Sequence, residues 1–366
     1  EGNPFYIEEL VKMLIDRGVI VRDPLAAEDG AARPERWVIV EEKVGAVNVP
    51  ATLTALLQAR LDSLPRQERD VLQRAAIVGR IFWDDGVAAL LDGDPEGPAD
   101  LSPQSPIDEA TRVKMSPATL RALLDSLVRR ELITRRGRPV FAGTDEFSFK
   151  HNLLRDVVYE TVLLRDRRQH HARVARWLEV NSGARLAENL GLIAEHYILA
   201  GLDGRAAAYL ERSGDAAQRN GAYVSARSAF ERALALRPDD SGEIISSLRL
   251  KLGAVCWNVG DFPAAERSLF IARDIARRSG DIRTQAGALY WLSRVAISRG
   301  DYAHARMLLA YGLPLARAAD PETLARMLYG VADVAWKLGD METLQTYITE
   351  SLALARSIGN TTLELL

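Results

Sequence analysis

The sequence predicts a mainly α-helical protein in two parts. A mixed unit of helices and short strands ends in a small β wing, and a superhelix of helical hairpins follows. Three observations carry this. At residues 145–159 the apolar period changes from two to about 3.6: Phe147 and Phe149 alternate with Ser148 and Lys150, whereas Leu153, Leu154, Val157, Val158 and Thr161 share one helical stripe. Strand-like runs occur only up to this joint. Beyond it, Gly221-Ala-Tyr, Gly260-Asp-Phe, Gly300-Asp-Tyr and Gly339-Asp-Met recur at spacings of 39, 40 and 39 residues.

Residues 1–48 come first. Asn3 suits an N-cap, Pro4 the first helical position, and Glu8 and Glu9 the early turns. Phe5, Ile7, Leu10, Val11 and Leu14 form the expected buried face, and Gly18 the C-cap. Residues 19–22 and 37–40 read as two strands of a hairpin. Residues 49–160 form the next domain. A helix spans about 52–64, Pro65 opens another, and a third follows Phe82-Trp83. Residues 92–113, rich in Pro, Asp and Ser, read as an insertion. Ser116-Pro117 caps a further helix, and 132–135, 140–141 and 147–149 supply short strands. Helices followed by such a wing make a winged helix.

A winged helix raises a nucleic-acid reading. Arg129, Arg130, Arg135, Arg136 and Arg138 cluster around the wing as phosphate contacts require. Asp125, Glu131, Asp145 and Glu146 dilute the cluster, and the whole chain carries a net charge of -3. DNA is therefore not the expected partner. The alternative function this leaves is a transcription regulator whose winged helix touches DNA and whose repeats sense a signal.

Residues 161–206 read as a helical connector and 207–366 as the repeat array. Five residues after each turn glycine stand Ala226, Ala265, Ala305 and Leu344, and nine after it Phe230, Leu269, Leu309 and Ile348. Glycine permits the turn, Asp caps the second helix, and small residues let paired helices approach. These residues resemble the tetratricopeptide repeat. Leu252-Gly253, Gly260-Asp-Phe262, Ala265, Leu269 and Ala272 occupy its signature positions, while Gly312 and Ser351 replace the second small alanine in later units. The spacing exceeds the usual 34, which implies longer helices. The resemblance implies a groove lined by the first helix of each pair and filled by a protein or peptide. Aligned by the turn glycines, its groove positions fall on Trp257, Tyr290, Arg294, Tyr329, Asp333 and Trp336.

With an array behind it, the first half resembles the bacterial branch of the STAND signalling ATPases. The resemblance rests on Glu1-Gly-Asn-Pro-Phe-Tyr-Ile-Glu-Glu-Leu10, Val49-Pro50, Leu56-Leu57-Gln-Ala-Arg-Leu61, Arg74-Ala-Ala-Ile-Val-Gly79 and Phe149-Lys-His-Asn-Leu-Leu-Arg-Asp156. It implies that Gly2, Asn3 and Pro4 end the ATPase lid near the nucleotide base. It also implies that His151 contacts the β-phosphate of ADP, with Asn152 standing where an Asp is common. The partner is then an ATPase domain upstream in the same protein, using ATP or ADP with Mg and often joined to a nucleotide cyclase or kinase. A chain that opens at Glu1 inside a motif is expected to be a portion of something longer.

No Gly-x-x-x-x-Gly-Lys-Ser/Thr occurs in the chain, so it is expected to be no enzyme by itself and to hold no cofactor of its own. No catalytic constellation is found. His170 and His171, adjacent on a helix, point about 100° apart and do not chelate one metal. Cys256 is expected to be packing. One cysteine, no signal peptide and no long apolar run fit a cytoplasmic protein without membrane contact.

Overall fold

The computed structural model describes residues 4–22, 37–44, 52–91, 115–137, 141, 143–237 and 242–364. The chain divides into two compact units, Glu1–Asn181 and Ser182–Leu366. It is mainly helical, with two small antiparallel sheets among the described residues.

In the first unit α1 (Pro4–Asp16) ends at Gly18, which lies at φ +66°. β1 (Ile20–Arg22) pairs with β2 (Trp37–Ile39), and the short α2 (Glu41–Val44) follows. The buried line of α1 differs from the apolar stripe the sequence suggests. Ile7 and Val11 are exposed, whereas Glu9 and Met13 are buried. The cause is electrostatic: the Glu9 carboxylate pairs with the guanidinium of Arg60 on α3 (Leu53–Asp62), and this turns the helix.

After α3, α4 (Arg66–Val78) presents Val71, Leu72, Ala75 and Ala76 to the core. β3 (Ile81–Trp83), α5 (Asp84–Leu91), α6 (Pro117–Arg129), β4 (Ile133–Arg135) and β5 (Glu146–Phe149) complete the set. Thr52 and Ser116 cap α3 and α6 by accepting the N–H three residues on. β5 is central: Phe82 faces Phe147 on one side, and Ile133 faces Phe149 on the other. The expected third strand at 140–141 is not the one that completes this sheet. Phe141 sits in a bend, Val140 lies outside the described residues, and β3 takes the place. Alternation is hard to see in a three-residue strand, which is why Ile81–Trp83 hides in the sequence. Phe82, Phe147 and Phe149 meet in the core with centroids 5.6–5.7 Å apart. α7 (Asn152–Glu160) and α8 (Leu164–Asn181) close the unit, and Trp177 of α8 stacks on Trp83. The expected insertion at 92–113 lies outside the described residues.

The second unit is built of helices throughout its described length. A 3-10 turn, Gly183–Arg185, leads into α9 (Leu186–Ala200) and α10 (Asp203–Arg219). Then come α11 (Tyr223–Ala235), α12 (Glu243–Val259), α13 (Phe262–Ser279), α14 (Ile282–Ser298), α15 (Tyr302–Ala319), α16 (Pro321–Leu338), α17 (Met341–Ser357) and α18 (Thr361–Glu364). The helices α12 to α17 are 17 or 18 residues long, and this accounts for the long repeat spacing.

From α13 to α17 the helices open with the same chemistry, whereas α11 opens at Ala222 without a side-chain cap. Asp261, Asp281, Asp301, Asp320 and Asp340 each accept the N–H of the third residue onward. The turn glycines 221, 260, 300 and 339 sit at φ between +72° and +85°. Gly253 shows why a small residue recurs: a Cβ there would lie 2.5 Å from the Leu269 side chain. The first helices α12, α14 and α16 lie side by side along one wall.

Candidate functional site

Two places bring the singled-out residues together, one in each unit. The first is the junction of β5 and α7. His151 is the N-cap residue of α7, extended at φ −134° and ψ 139°, and its side chain makes no cap bond. The Glu8 and Glu9 carboxylates of α1 reach it, so that donor atoms of Glu8, Glu9 and His151 lie within 4.8 Å of one another. Lys150, beside His151, bonds Glu8 at 3.2 Å across 142 residues of chain. The segment that begins at Pro4 and the His151 segment are thus neighbours in space. Gly2 and Asn3 lie outside the described residues.

The charges here are closely matched. Lys12 and Lys150 both reach Glu131, at 2.9 and 2.6 Å, and both reach Glu8. The two ammonium groups hold the Glu131 carboxyl down at about 2. Arg60 takes Glu9 and also donates to the Arg130 carbonyl at 3.0 Å. Burial pulls the His151 pKa down, and Glu9 and Glu8 oppose it. The Glu8–Glu9–His151 spacing is that of a cation site, but Lys12, Lys150 and Arg60 already pair with the two carboxylates.

Three of the five arginines of the wing cluster are paired within their own unit, while Arg129 is exposed and in no ion pair among the described residues. Arg130 pairs with Glu68 at 3.0 Å, Arg135 with Asp125 at 3.2 Å, and Arg136 with Glu146 at 3.1 Å. Arg138 lies outside the described residues. Of the remaining polar candidates, burial pushes His170 to about 3 and His171 to about 4. His171 Nε2 is 2.9 Å from the Tyr159 hydroxyl. Cys256 is buried, and desolvation raises its thiol pKa.

The second place is the wall formed by α12, α14 and α16. Trp257 donates its indole N–H to Ser298 at 3.0 Å. Arg294 lies between the rings of Trp257 and Tyr329, 5.1 and 5.8 Å from their centroids, and pairs with Asp333. Four of the six groove residues therefore form one cluster spanning three hairpins. Tyr290 is a core residue, 6% exposed, with its ring 5.3 Å from Trp291. Trp336 stands apart at 56% exposure, with Lys337 over its ring.

Sequence reasoning missed the cavity next to this cluster. It measures about 470 Å³ and is lined by Lys251 of α12, by Arg283, Tyr290 and Trp291 of α14, and by Glu322 and Arg326 of α16. The available signal was Gly287, a glycine inside a helix that lines the cavity, where a Cβ would lie 3.0 Å from the Leu250 side chain.

No family model matches the chain. An uncharacterized protein of Rhizobium meliloti (strain 1021) is 29% identical over 175 residues, which cover 46% of this chain. The match spans 17% of that relative's length. Among solved structures, a signal transduction ATPase with numerous domains carrying a tetratricopeptide repeat sensor, from Pyrococcus horikoshii, aligns with 87% of this chain and 48% of its own (17% identity, TM-score 0.35). A Rap protein complexed with competence and sporulation factor aligns over 85% of this chain and 79% of its own, at 14% identity and a TM-score of 0.41. MamA from Desulfovibrio magneticus RS-1 aligns over 51% of this chain and 96% of its own, at 19% identity and a TM-score of 0.39. Among the described residues no helix is long and apolar enough to cross a membrane.

Proposed function

We propose that this chain is the regulatory and sensor portion of a nucleotide-switched signalling ATPase. In this reading the first unit contains the end of an ATPase lid and a winged helix, and the array receives a protein or ligand signal. The observation that carries it is the meeting of α1 with His151. The two motifs that sequence resemblance assigns to the nucleotide are far apart in the chain, yet the Glu8 and Glu9 side chains lie against the His151 ring. The element order supports the winged helix: helix, strand, helix, helix, strand, strand, with the last strand central.

The mechanism is a two-state switch. His151, at a helix N-terminus where backbone N–H groups point outward, donates a hydrogen bond to a phosphate oxygen of ADP and holds a closed state. A charge-assisted bond of this kind is worth about 1.5–3 kcal/mol. Its loss from the closed state alone shifts the balance by about ten- to a hundredfold. Signal binding along the array biases the same equilibrium.

The test uses His151→Ala in a protein that also carries the nucleotide-binding domain. Faster ADP release and raised output are expected. An unchanged ADP off-rate with unchanged output would refute the switch. In the present chain the same substitution should cost little stability, and a large loss would mark His151 as a turn residue only.

A further inference from the structure

We propose that the cavity between α12, α14 and α16 receives a basic side chain, an arginine, of a protein partner. The proposal rests on the reading of the array as a sensor of a protein signal and names the chemistry by which that signal is gripped. At about 470 Å³ the cavity has the size of a ligand site rather than of a packing defect.

The charges around it do not balance. Lys251, Arg283 and Arg326 line the cavity with Glu243, Asp281 and Glu322. The three cations are already claimed, in part by carboxylates outside the lining. Glu211 and Asp215 hold Lys251 at 2.7 and 2.8 Å, Asp320 holds Arg283 at 3.2 Å, and Glu322 holds Arg326 at 2.7 Å. Six carboxylates thus meet three cations. Glu243 and Asp281 are in no ion pair among the described residues, and Asp281 spends one oxygen, Oδ1, on the Thr284 N–H at 3.0 Å. The N-termini of α14 and α16, each worth about half a positive charge, offset only part of this surplus. Burial pulls the Lys251 pKa down, and the bonds to Asp215 and Glu211 outweigh it and raise it, the sign that surplus negative charge produces.

The same wall shows how it holds a guanidinium. Beside the cavity, Arg294 lies 5.1 Å from the Trp257 centroid and 5.8 Å from that of Tyr329, with Asp333 as its carboxylate. The cavity offers these parts again. The Trp291 ring is 5.4 Å from Trp257 and 5.3 Å from Tyr290, and Glu243 and Asp281 supply the carboxylates. Among the described residues no cation lies over the Trp291 ring. An arginine meets both demands, because its planar fork pairs with carboxylates while its face lies on an aromatic ring. An acidic ligand would face like charge, which disfavours it.

The test is fluorescence anisotropy with three dye-labelled hexapeptide pools on the full chain. The pools share Ala and Leu flanks and carry Arg, Asn/Gln or Asp/Glu at the two central positions. The Arg pool should bind about tenfold more tightly than either other pool. Asp281→Asn and Glu243→Gln remove charge and keep the shape, and Asn still caps a helix. Each should weaken the Arg pool about three- to tenfold. Arg283→Gln should act in reverse, because it frees Asp320 and Glu322, and should tighten the Arg pool about two- to threefold. Tightest binding of the neutral or acidic pool would overturn the basic assignment and leave the array as a sensor of protein signals. Failure of every pool to bind would overturn both. Arg-pool binding that the two carboxylate variants leave unchanged, or that Arg283→Gln weakens, would place the cation elsewhere and overturn the proposal. Competition by free agmatine at the peptides' own affinity would make the occupant a small molecule and would overturn it as well.

Discussion

The Glu9 carboxylate is buried against the Arg60 guanidinium, with side-chain exposures of 2% and 5%, across 51 residues of sequence. This pair ties α1 to α3 and holds Glu8 and Glu9 beside His151.

Removing one partner should therefore be costly. Glu9→Ala leaves a guanidinium in a dry site, and a loss of about 3–5 kcal/mol is expected. Glu9→Met combined with Arg60→Leu should recover most of it. Urea unfolding of the first unit, followed by the fluorescence of Trp83 and Trp177, would measure both. Equal losses in the single and double variants would mean that the pair is not coupled.

Acid should weaken the first unit through His171. The residue is fully buried and faces Tyr159, Arg155 and Arg167, while its neighbour His170 faces Arg74 and Arg173. Burial lowers the folded-state pKa of His171 from 6.5 to about 4. Above 6.5 both states are neutral and nothing changes. Below it the unfolded chain takes a proton that the folded one refuses, so stability falls with pH down to about 4. The loss is about 3 kcal/mol. His171→Gln, which does not titrate, should flatten this slope in thermal scans from pH 7 to 4. An unaltered slope would assign the effect to other groups.

The array was more legible than the first unit, and the reason is physical. Gly260, Ala265 and Leu269 recur because every seam poses the same steric problem, so the sequence repeats with it. The face of α1 was hidden because Arg60, which sets it, is 51 residues away from Glu9. β3 was hidden because three residues carry too little alternation to read. At the candidate site, Trp257, Arg294, Tyr329 and Asp333 could be found by aligning glycines. The cavity could not, because it depends on three helices far apart in sequence bringing Lys251, Tyr290 and Arg326 around one space.

Gly253→Ala tests the closeness of the seam. A Cβ at this position would lie 2.5 Å from Leu269 Cγ and Cδ2, closer than real contacts allow. The helices must part or Leu269 must leave its rotamer, at about 1–3 kcal/mol. A lower melting temperature is expected, and Leu269→Ala in the same chain should relieve part of the strain. Gly242, where a Cβ would meet nothing within 4 Å, serves as the control.

Asp333→Ala should uncouple two hairpins. Arg294 would keep its aromatic neighbours and lose its carboxylate, with both side chains less than a fifth exposed. A double-mutant cycle with Arg294→Ala should return a coupling of about 0.5–3 kcal/mol. A value near zero would show that the pair is ornamental.

The main contacts of the array run between helices that are consecutive in sequence or belong to successive positions along the wall, such as α12, α14 and α16. A body assembled in this way has the mechanics of a spring. Pulled from its two ends, such a stack would lengthen by a small rotation at each seam, since each hairpin contacts only its neighbours. The stiffness lies in the seams, where Gly253 meets Leu269 and Arg294 meets Asp333. An occupant spanning α12 to α16 would clamp two successive turns of that spring, so binding would be felt as tension at residues it never touches.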